Sequence, residues 1–80
     1  MKARIHVSLK QGVLDPQGKA VAGALNNLGF QEVRSVRQGK FFDIDMGDIA
    51  AGEAEGRLKE YCEKLLANPV IENYRIEVLP

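Results

Sequence analysis

The sequence has 80 residues, with 11 basic and 11 acidic side chains and a formal net charge of zero. This length predicts one domain, residues 1–80, and the zero net charge argues against nucleic-acid binding, which usually requires a basic excess. A single cysteine excludes a disulfide within the chain, and no stretch approaches the roughly 18 apolar residues of a membrane span. The N-terminal segment also lacks a signal peptide's apolar core, so we expect a cytoplasmic protein with no membrane partner.

The first part of the chain predicts a strand followed by a helix. Residues 2–9 alternate between apolar and polar side chains, as in a half-buried β-strand. Asp15 can cap a helix and Pro16 suits its first position. Gly29 predicts the end of this helix. Its apolar stripe consists of Val21, Leu25 and Leu28.

Two further strands are predicted in the middle of the chain. Residues 30–37 favour a strand, although Val33 and Val36 are three residues apart and cannot share one face of a regular strand. Gln38-Gly39 is typical of a hairpin turn. Residues 40–46 alternate again and predict a third strand.

The last part of the chain predicts a helix and a final strand. The helix covers residues 49–67, with Asp48 as its cap, and ends before Asn68-Pro69. Residues 70–79 then alternate as a strand. The apolar stripe of this helix comprises Ala54, Leu58, Tyr61, Cys62 and Leu65, with Leu66 alongside.

The order β-α-β-β-α-β predicts an α+β two-layer sandwich of ferredoxin-like or closely related topology. Its four-stranded, mainly antiparallel sheet would carry both helices on one face. Phe41 and Phe42 are adjacent, so they lie on opposite faces of their strand and only one can enter the core. The other would mark a contact surface on the open face.

No residue pattern predicts catalysis, cofactor binding or a metal site. His6 could act as a base or ligand but has no evident partner, so we interpret it as a solvated or interface histidine. Cys62 lies in an apolar stripe and should pack in the core. Asp43 and Asp45 share a strand face, where they could do acid–base work or hold magnesium, but a solubilising strand face or pairing with arginines of the preceding strand is the simpler interpretation. Those arginines are Arg34 and Arg37.

One connection is unusual for its apolar content. The segment from Lys10 to Gly18 contains Val13 and Leu14 and leads into a helix N-terminus. Two readings are open: the aliphatic pair packs beneath the first helix, or the segment contacts an anion or a partner protein. Between these we predict a partner contact.

This segment also carries a resemblance to a known family. The run Val7-x-Leu9-Lys10-x-Gly12-Val13-Leu14-Asp15-Pro16-Gln17-Gly18 resembles the opening of PurS, the small subunit of bacterial and archaeal phosphoribosylformylglycinamidine synthase. Leu25-x-x-Leu28-Gly29-Phe30-x-x-Val33 and Val36-Arg37-x-Gly39-Lys40 resemble the family's middle, and Asn68-Pro69-Val70-Ile71-Glu72-x-Tyr74 its end. Gly52 and Gly56 are the departures, in a helix expected to be more regular.

The resemblance implies a non-catalytic assembly subunit in purine biosynthesis. Its partners would be a glutaminase subunit and a large synthetase subunit, which it would bridge while assisting ammonia transfer. ATP, magnesium and glutamine would bind to those partners rather than to this chain. The resemblance also implies self-association, and the small core, the strand edges and the open sheet face predict a homodimer or a dimer of dimers. We predict partner contacts at Lys10, Val13, Leu14, Gln17, Arg37 and Lys40.

Two alternatives belong to other functional classes. A small metabolite-binding regulatory domain would share this fold, and would need a polar, glycine-lined pocket at a subunit interface. An RNA-binding domain would need aromatic and basic residues together on the open sheet face. The first predicted strand offers Lys2, Arg4 and His6 but no aromatic residue, so RNA binding is the weaker alternative.

Overall fold

The computed structural model describes all 80 residues and contains three strands and two helices. Strand β1 comprises Lys2–Leu9, helix α1 Pro16–Asn27 and strand β2 Gly39–Asp45. Helix α2 comprises Ala51–Tyr61 and continues directly into a π-helical turn, Cys62–Leu66. Strand β3 comprises Glu72–Leu79.

The sheet has three antiparallel strands in the order β2-β1-β3. Strand β1 is central, with Ile5 opposite Phe42 on one side and Ile76 on the other. The predicted α+β class and antiparallel pairing are therefore confirmed, whereas the prediction of four strands is wrong. Both β2 and β3 keep one unpaired edge.

The missing strand is the segment predicted at residues 30–37, whose backbone groups bond elsewhere. The side-chain amide of Asn26 donates to the carbonyl oxygens of Phe30 and Val33, at 2.9 and 3.1 Å. The backbone N–H of Gln38 donates to the Asp15 carboxylate instead of forming a hairpin. Bonds to side chains near both ends of α1 thus replace bonds to the edge of β2.

The core lies between the sheet and α2 with its π-helical turn. Ile5, Leu58 and Cys62 are fully buried there, so the predicted core position of Cys62 is confirmed, and burial raises the pKa of its thiol. In the wider π turn, the N–H of Ala67 donates to the carbonyl oxygen of Cys62 at 3.0 Å. This places Ala67 in the core and leaves Leu65 83% exposed, contrary to its predicted place in the buried stripe.

Helix α1 lies away from this core, although it was predicted to cover the sheet beside α2. None of its residues belongs to the core cluster, and Val21 and Leu28 are exposed. The molecule is elongated as a result, measuring 49 × 28 × 14 Å. Its radius of gyration is 16.1 Å, against about 12 Å for a compact chain of this length.

The helix ends confirm one predicted cap and contradict another. The Asp15 carboxylate accepts the N–H of Gly18 at 2.8 Å, and Gly29 has the left-handed φ of 105° expected just beyond the helix. Helix α2 has Ala50 at its N-cap, without a side-chain cap bond. Asp48 is therefore not the cap, because the helix begins later than the sequence predicts.

Candidate subunit interface

The segment that precedes α1 is fixed by Asp15, whose side chain is only 5% exposed. One carboxylate oxygen accepts the N–H of Gly18, and the other accepts the N–H of Gln38 at 2.7 Å. The Gln38 bond, followed by the Gly18 bond, holds the pKa of Asp15 below its ordinary value. Asp15 therefore ties the start of α1 to the residue that precedes β2.

Arg37 makes a second link between the same two parts of the chain. Its guanidinium donates to the carbonyl oxygens of Val13, at 2.9 Å, and of Lys10, at 3.2 Å. The Lys10 N–H donates in turn to the carbonyl oxygen of Ile71, at 2.8 Å, which connects the segment to the entrance of β3. Three parts of the chain thus meet at one end of the sheet: the segment that leads into α1, the residues that precede β2 and the entrance of β3.

The six predicted contact residues all belong to this end of the molecule. The side chain of Val13 is half-buried, whereas Leu14 is 71% exposed, so only one of the pair is partly shielded from solvent. Gln17 accepts a bond from the Gln38 amide at 2.8 Å, and Lys40 lies exposed at the start of β2, with its ammonium 5.7 Å from the Phe42 ring centre. We name this set the sheet-end surface: Lys10, Val13, Leu14, Gln17, Arg37 and Lys40.

A cleft of about 230 Å³ opens beside this surface, lined by Asp15, Gln17, Gln38, Gly39 and Lys40 among others. Asp15, Gln17 and Gln38 already bond to one another or to backbone groups. A metabolite would have to break those bonds to bind there. The cleft therefore gives little support to the alternative of a regulatory ligand-binding domain.

Charged side chains on the open sheet face pair across the strands. Arg4 donates to Asp43 at 2.7 Å, and its guanidinium carbon lies 4.8 Å from the centre of the Phe41 ring. His6 lies 2.8 Å from Glu77, a partner on the last strand that the sequence analysis missed. These partners lower the pKa of Asp43 and of Glu77. The face carries an exposed phenylalanine, as predicted. Its Arg4 and His6 side chains are paired with acidic residues, unlike the free basic groups expected of an RNA-binding sheet.

Two features of the site were not foreseen from the sequence. The second bond of Asp15, to Gln38, and the backbone contacts of Arg37 both join residues more than 20 positions apart. In the sequence, a capping aspartate indicates only the local bond to the N-terminus of its own helix. No group of three or more histidine, cysteine or acidic residues is placed to hold a metal ion, and neither helix has the length and apolar character needed to cross a membrane.

Fold and site together define a class: a small α+β protein whose helix-covered three-stranded sheet carries a projecting apolar helix. Residues 2–80 match the family model of PurS, described as phosphoribosylformylglycinamidine (FGAM) synthase. The chain belongs to the PurS family.

Similar proteins come from bacteria and archaea. The phosphoribosylformylglycinamidine synthase subunit PurS of Bacillus subtilis is 48% identical over 77 residues, 96% of this chain and 90% of the relative. The crystal structure of Methanocaldococcus jannaschii PurS, a subunit of formylglycinamide ribonucleotide amidotransferase in purine biosynthesis, superposes with a TM-score of 0.84, at 43% identity over 95% of this chain and 92% of that one. A chain from the structure of PurLQS of Thermotoga maritima superposes with a TM-score of 0.87, at 31% identity over 98% of this chain and 95% of that one.

Proposed function

We propose that this chain is the small subunit of a phosphoribosylformylglycinamidine synthase complex in purine biosynthesis. The observation that carries the proposal is the family match over residues 2–80, supported by nearly full-length relatives of the same description. The similarity to a chain from the PurLQS structure supports a multi-subunit setting. The buried, unpaired thiol of Cys62 suits a reducing compartment such as the cytoplasm.

In this role the chain bridges a glutaminase subunit and a synthetase subunit, and the sheet-end surface takes part in the contact. Leu14 supplies an exposed aliphatic side chain to this surface, and Lys10 and Lys40 supply basic groups. Asp15 and Arg37 hold these residues on a fixed backbone, which lowers the entropy lost on docking. ATP, magnesium and glutamine are bound by the partners, and the small subunit assists transfer of ammonia between them.

Reconstitution with the glutaminase and synthetase subunits of the same organism tests this function. We expect formation of formylglycinamidine ribonucleotide from glutamine to require this chain. Turnover with ammonium chloride in place of glutamine should be much less dependent on it, because free ammonia needs no transfer between sites. Equal glutamine-dependent turnover with and without the chain would contradict the proposal.

A further inference from the structure

Strand β3 lies at one side of the sheet and has a free outer edge. Its pairing with β1 runs from Glu72 to Leu79 without a bulge, and no proline interrupts it. Long edge strands of soluble proteins are usually shortened, bent or interrupted by proline, because their unpaired backbone groups can bind other strands. The outer edge of β3 therefore has the form of a surface for strand pairing.

The backbone groups at this free edge can be assigned from the pairing with β1. Hydrogen-bonded and non-hydrogen-bonded residue pairs alternate along antiparallel strands. The N–H of Lys10 donates to the carbonyl oxygen of Ile71, directly before β3, so every second residue from Ile71 bonds toward β1. The residues between them direct their backbone N–H and carbonyl groups to the free edge: Tyr74, Ile76 and Val78.

An apolar groove lies directly beside this edge, between β3 and α2. It has a volume of about 370 Å³, and its lining includes the buried Ala54 and Leu58 as well as Val78, which is 57% exposed. A strand added to the edge of β3 would place every second side chain on the side of this groove. We name this surface the β3-side groove: Met1, Ala51, Ala54, Leu58, Ile76 and Val78.

The rim of the groove is acidic. Glu55 also lines it, and residues 47–56 contain three acidic side chains and no basic one. These acids are Asp48, Glu53 and Glu55; all are exposed, and none forms an ion pair. A partner segment that carries basic side chains between apolar ones complements both the rim and the groove.

The β3-side groove and the sheet-end surface lie at opposite ends of the sheet. Ala3 pairs with Val78 near one end of β1, and Leu9 pairs with Glu72 at the other. Val78 and Glu72 are about 20 Å apart along the strand, at roughly 3.3 Å per residue. The sheet-end surface carries three basic side chains and the rim of the groove three acidic ones. Two separate surfaces of opposite charge suit two different partners.

We propose that an extended, basic segment of one partner subunit pairs with the outer edge of β3 and places alternate apolar side chains in the β3-side groove. This rests on the proposed bridging function and assigns its second contact: one partner binds at the sheet-end surface and the other at β3. Backbone bonds to the edge supply affinity, and the groove and Glu55 select the segment.

Amide hydrogen exchange tests the strand pairing directly. The chain is measured alone and with the glutaminase or synthetase subunit of the same organism, by mass spectrometry with fragmentation that resolves single residues. With the partner that occupies the groove, exchange at Tyr74, Ile76 and Val78 should slow at least tenfold. The outer edge of β2 is the internal control and should keep its exchange rates.

Substitutions at Val78 separate the backbone bond from the apolar contact. Val78→Pro removes an N–H at the free edge without removing a bond to β1, and should weaken binding of that partner at least tenfold in isothermal titration calorimetry. Val78→Ala keeps the N–H and should weaken binding less than threefold. If thermal unfolding shows that Val78→Pro does not fold, Glu55→Lys takes its place, with Glu32→Lys as the control outside the groove.

Three outcomes would overturn this inference. Exchange at the β3 edge that is already as slow in the isolated chain means that a second copy covers it. Equal effects of Val78→Pro and Val78→Ala mean that the groove binds a partner without strand pairing. Unchanged exchange at β3 in the assembled complex means that no partner lies there. None of these measurements uses turnover, so a protected β3 edge in a complex whose glutamine-dependent turnover does not need this chain would contradict the proposed function alone.

Discussion

At the scale of single residues, the side chain of Asp15 joins parts of the chain that are distant in sequence. Its carboxylate caps α1 and also accepts the N–H of Gln38. Because the side chain is nearly buried, its loss would leave two backbone donors without a partner. This one residue therefore affects both the stability of α1 and the placement of that helix relative to β2.

We expect Asp15→Ala to lower the melting temperature by about 5–10 °C, from loss of the cap and of the second bond. Asp48→Ala is the matched control, because Asp48 forms no cap on α2, and its melting temperature should stay nearly unchanged. Thermal unfolding followed by circular dichroism measures both. Similar melting temperatures for the two variants would contradict the dual role of Asp15.

Acid stability follows from the same residue. The folded-state pKa of Asp15 is depressed by its backbone donors, so its stabilisation is complete above the unfolded-state pKa of about 4 and is lost as the pH falls through the folded value. The pKa values of Asp43 and Glu77 are lowered as well and act in the same direction. Asp15→Asn should flatten the loss of stability below about pH 4, measured by urea unfolding at several pH values. An unchanged pH profile would show that the Asp15 carboxylate contributes no acid sensitivity.

At the scale of elements, the glycines of the two helices have different roles. In α2, a Cβ at Gly52 or Gly56 would meet no atom within 4 Å. In α1, a Cβ at Gly18 would lie 2.2 Å from the carbonyl oxygen of Val36. Gly18 is therefore required by the close approach of the Val36 backbone, whereas Gly52 and Gly56 only lower the stability of α2.

Alanine substitutions separate these roles. Gly56→Ala should raise the melting temperature by about 4 °C, because alanine has the higher helix propensity. Gly18→Ala should lower it, since either Val36 or the helix must move. If both substitutions stabilise the protein to the same extent, the close packing of α1 on residues 34–37 is not maintained in solution.

The elements differ in how well the sequence predicts them. Alternation identified β1 and β2, because a two-residue period directly reports a half-buried strand. Residues 30–37 were mistaken for a strand because β-forming residues are present, but whether they pair depends on bonds to the side chain of Asn26 and, at Gln38, to that of the distant Asp15. Helical spacing likewise could not place Leu65, since the π turn changes the register after Tyr61.

The candidate site, too, could be predicted from local sequence only in part. The segment from Lys10 to Gly18 drew attention through its composition, and the structure brings Lys10 close to Arg37 and Gln17 close to Gln38. Helix α1 was predicted correctly, because its cap and its apolar spacing are local features of the sequence. The surface that covers its apolar stripe depends on packing between elements, which the spacing of residues does not report.

At the scale of the whole molecule, most of the protein is surface. Only 9 of the 80 residues are buried, so much of the chain is available for contacts within a complex.

Charge reversal at the sheet-end surface tests its part in assembly. Lys10→Glu should reduce glutamine-dependent turnover of the reconstituted complex about fivefold, the effect of losing a favourable interface charge and gaining a repulsive one. Turnover with ammonium chloride should change less. Lys59→Glu on the exposed face of α2 is the control. If Lys10→Glu, alone and with Gln17→Ala, preserves both assembly and turnover, this end of the sheet is only a structural connection.

The central position of β1 has a consequence for how the chain acquires its fold. Strand β1 is synthesised first, yet one of its two neighbours, β3, starts only at Glu72. Its pairing joins residues about 60 to 80 positions apart, such as Lys2 with Leu79 and Leu9 with Glu72. Such non-local pairing slows folding, because a long loop must close before its contacts are gained. During translation, β1 therefore stays without one of its two neighbours until β3 has also left the ribosome.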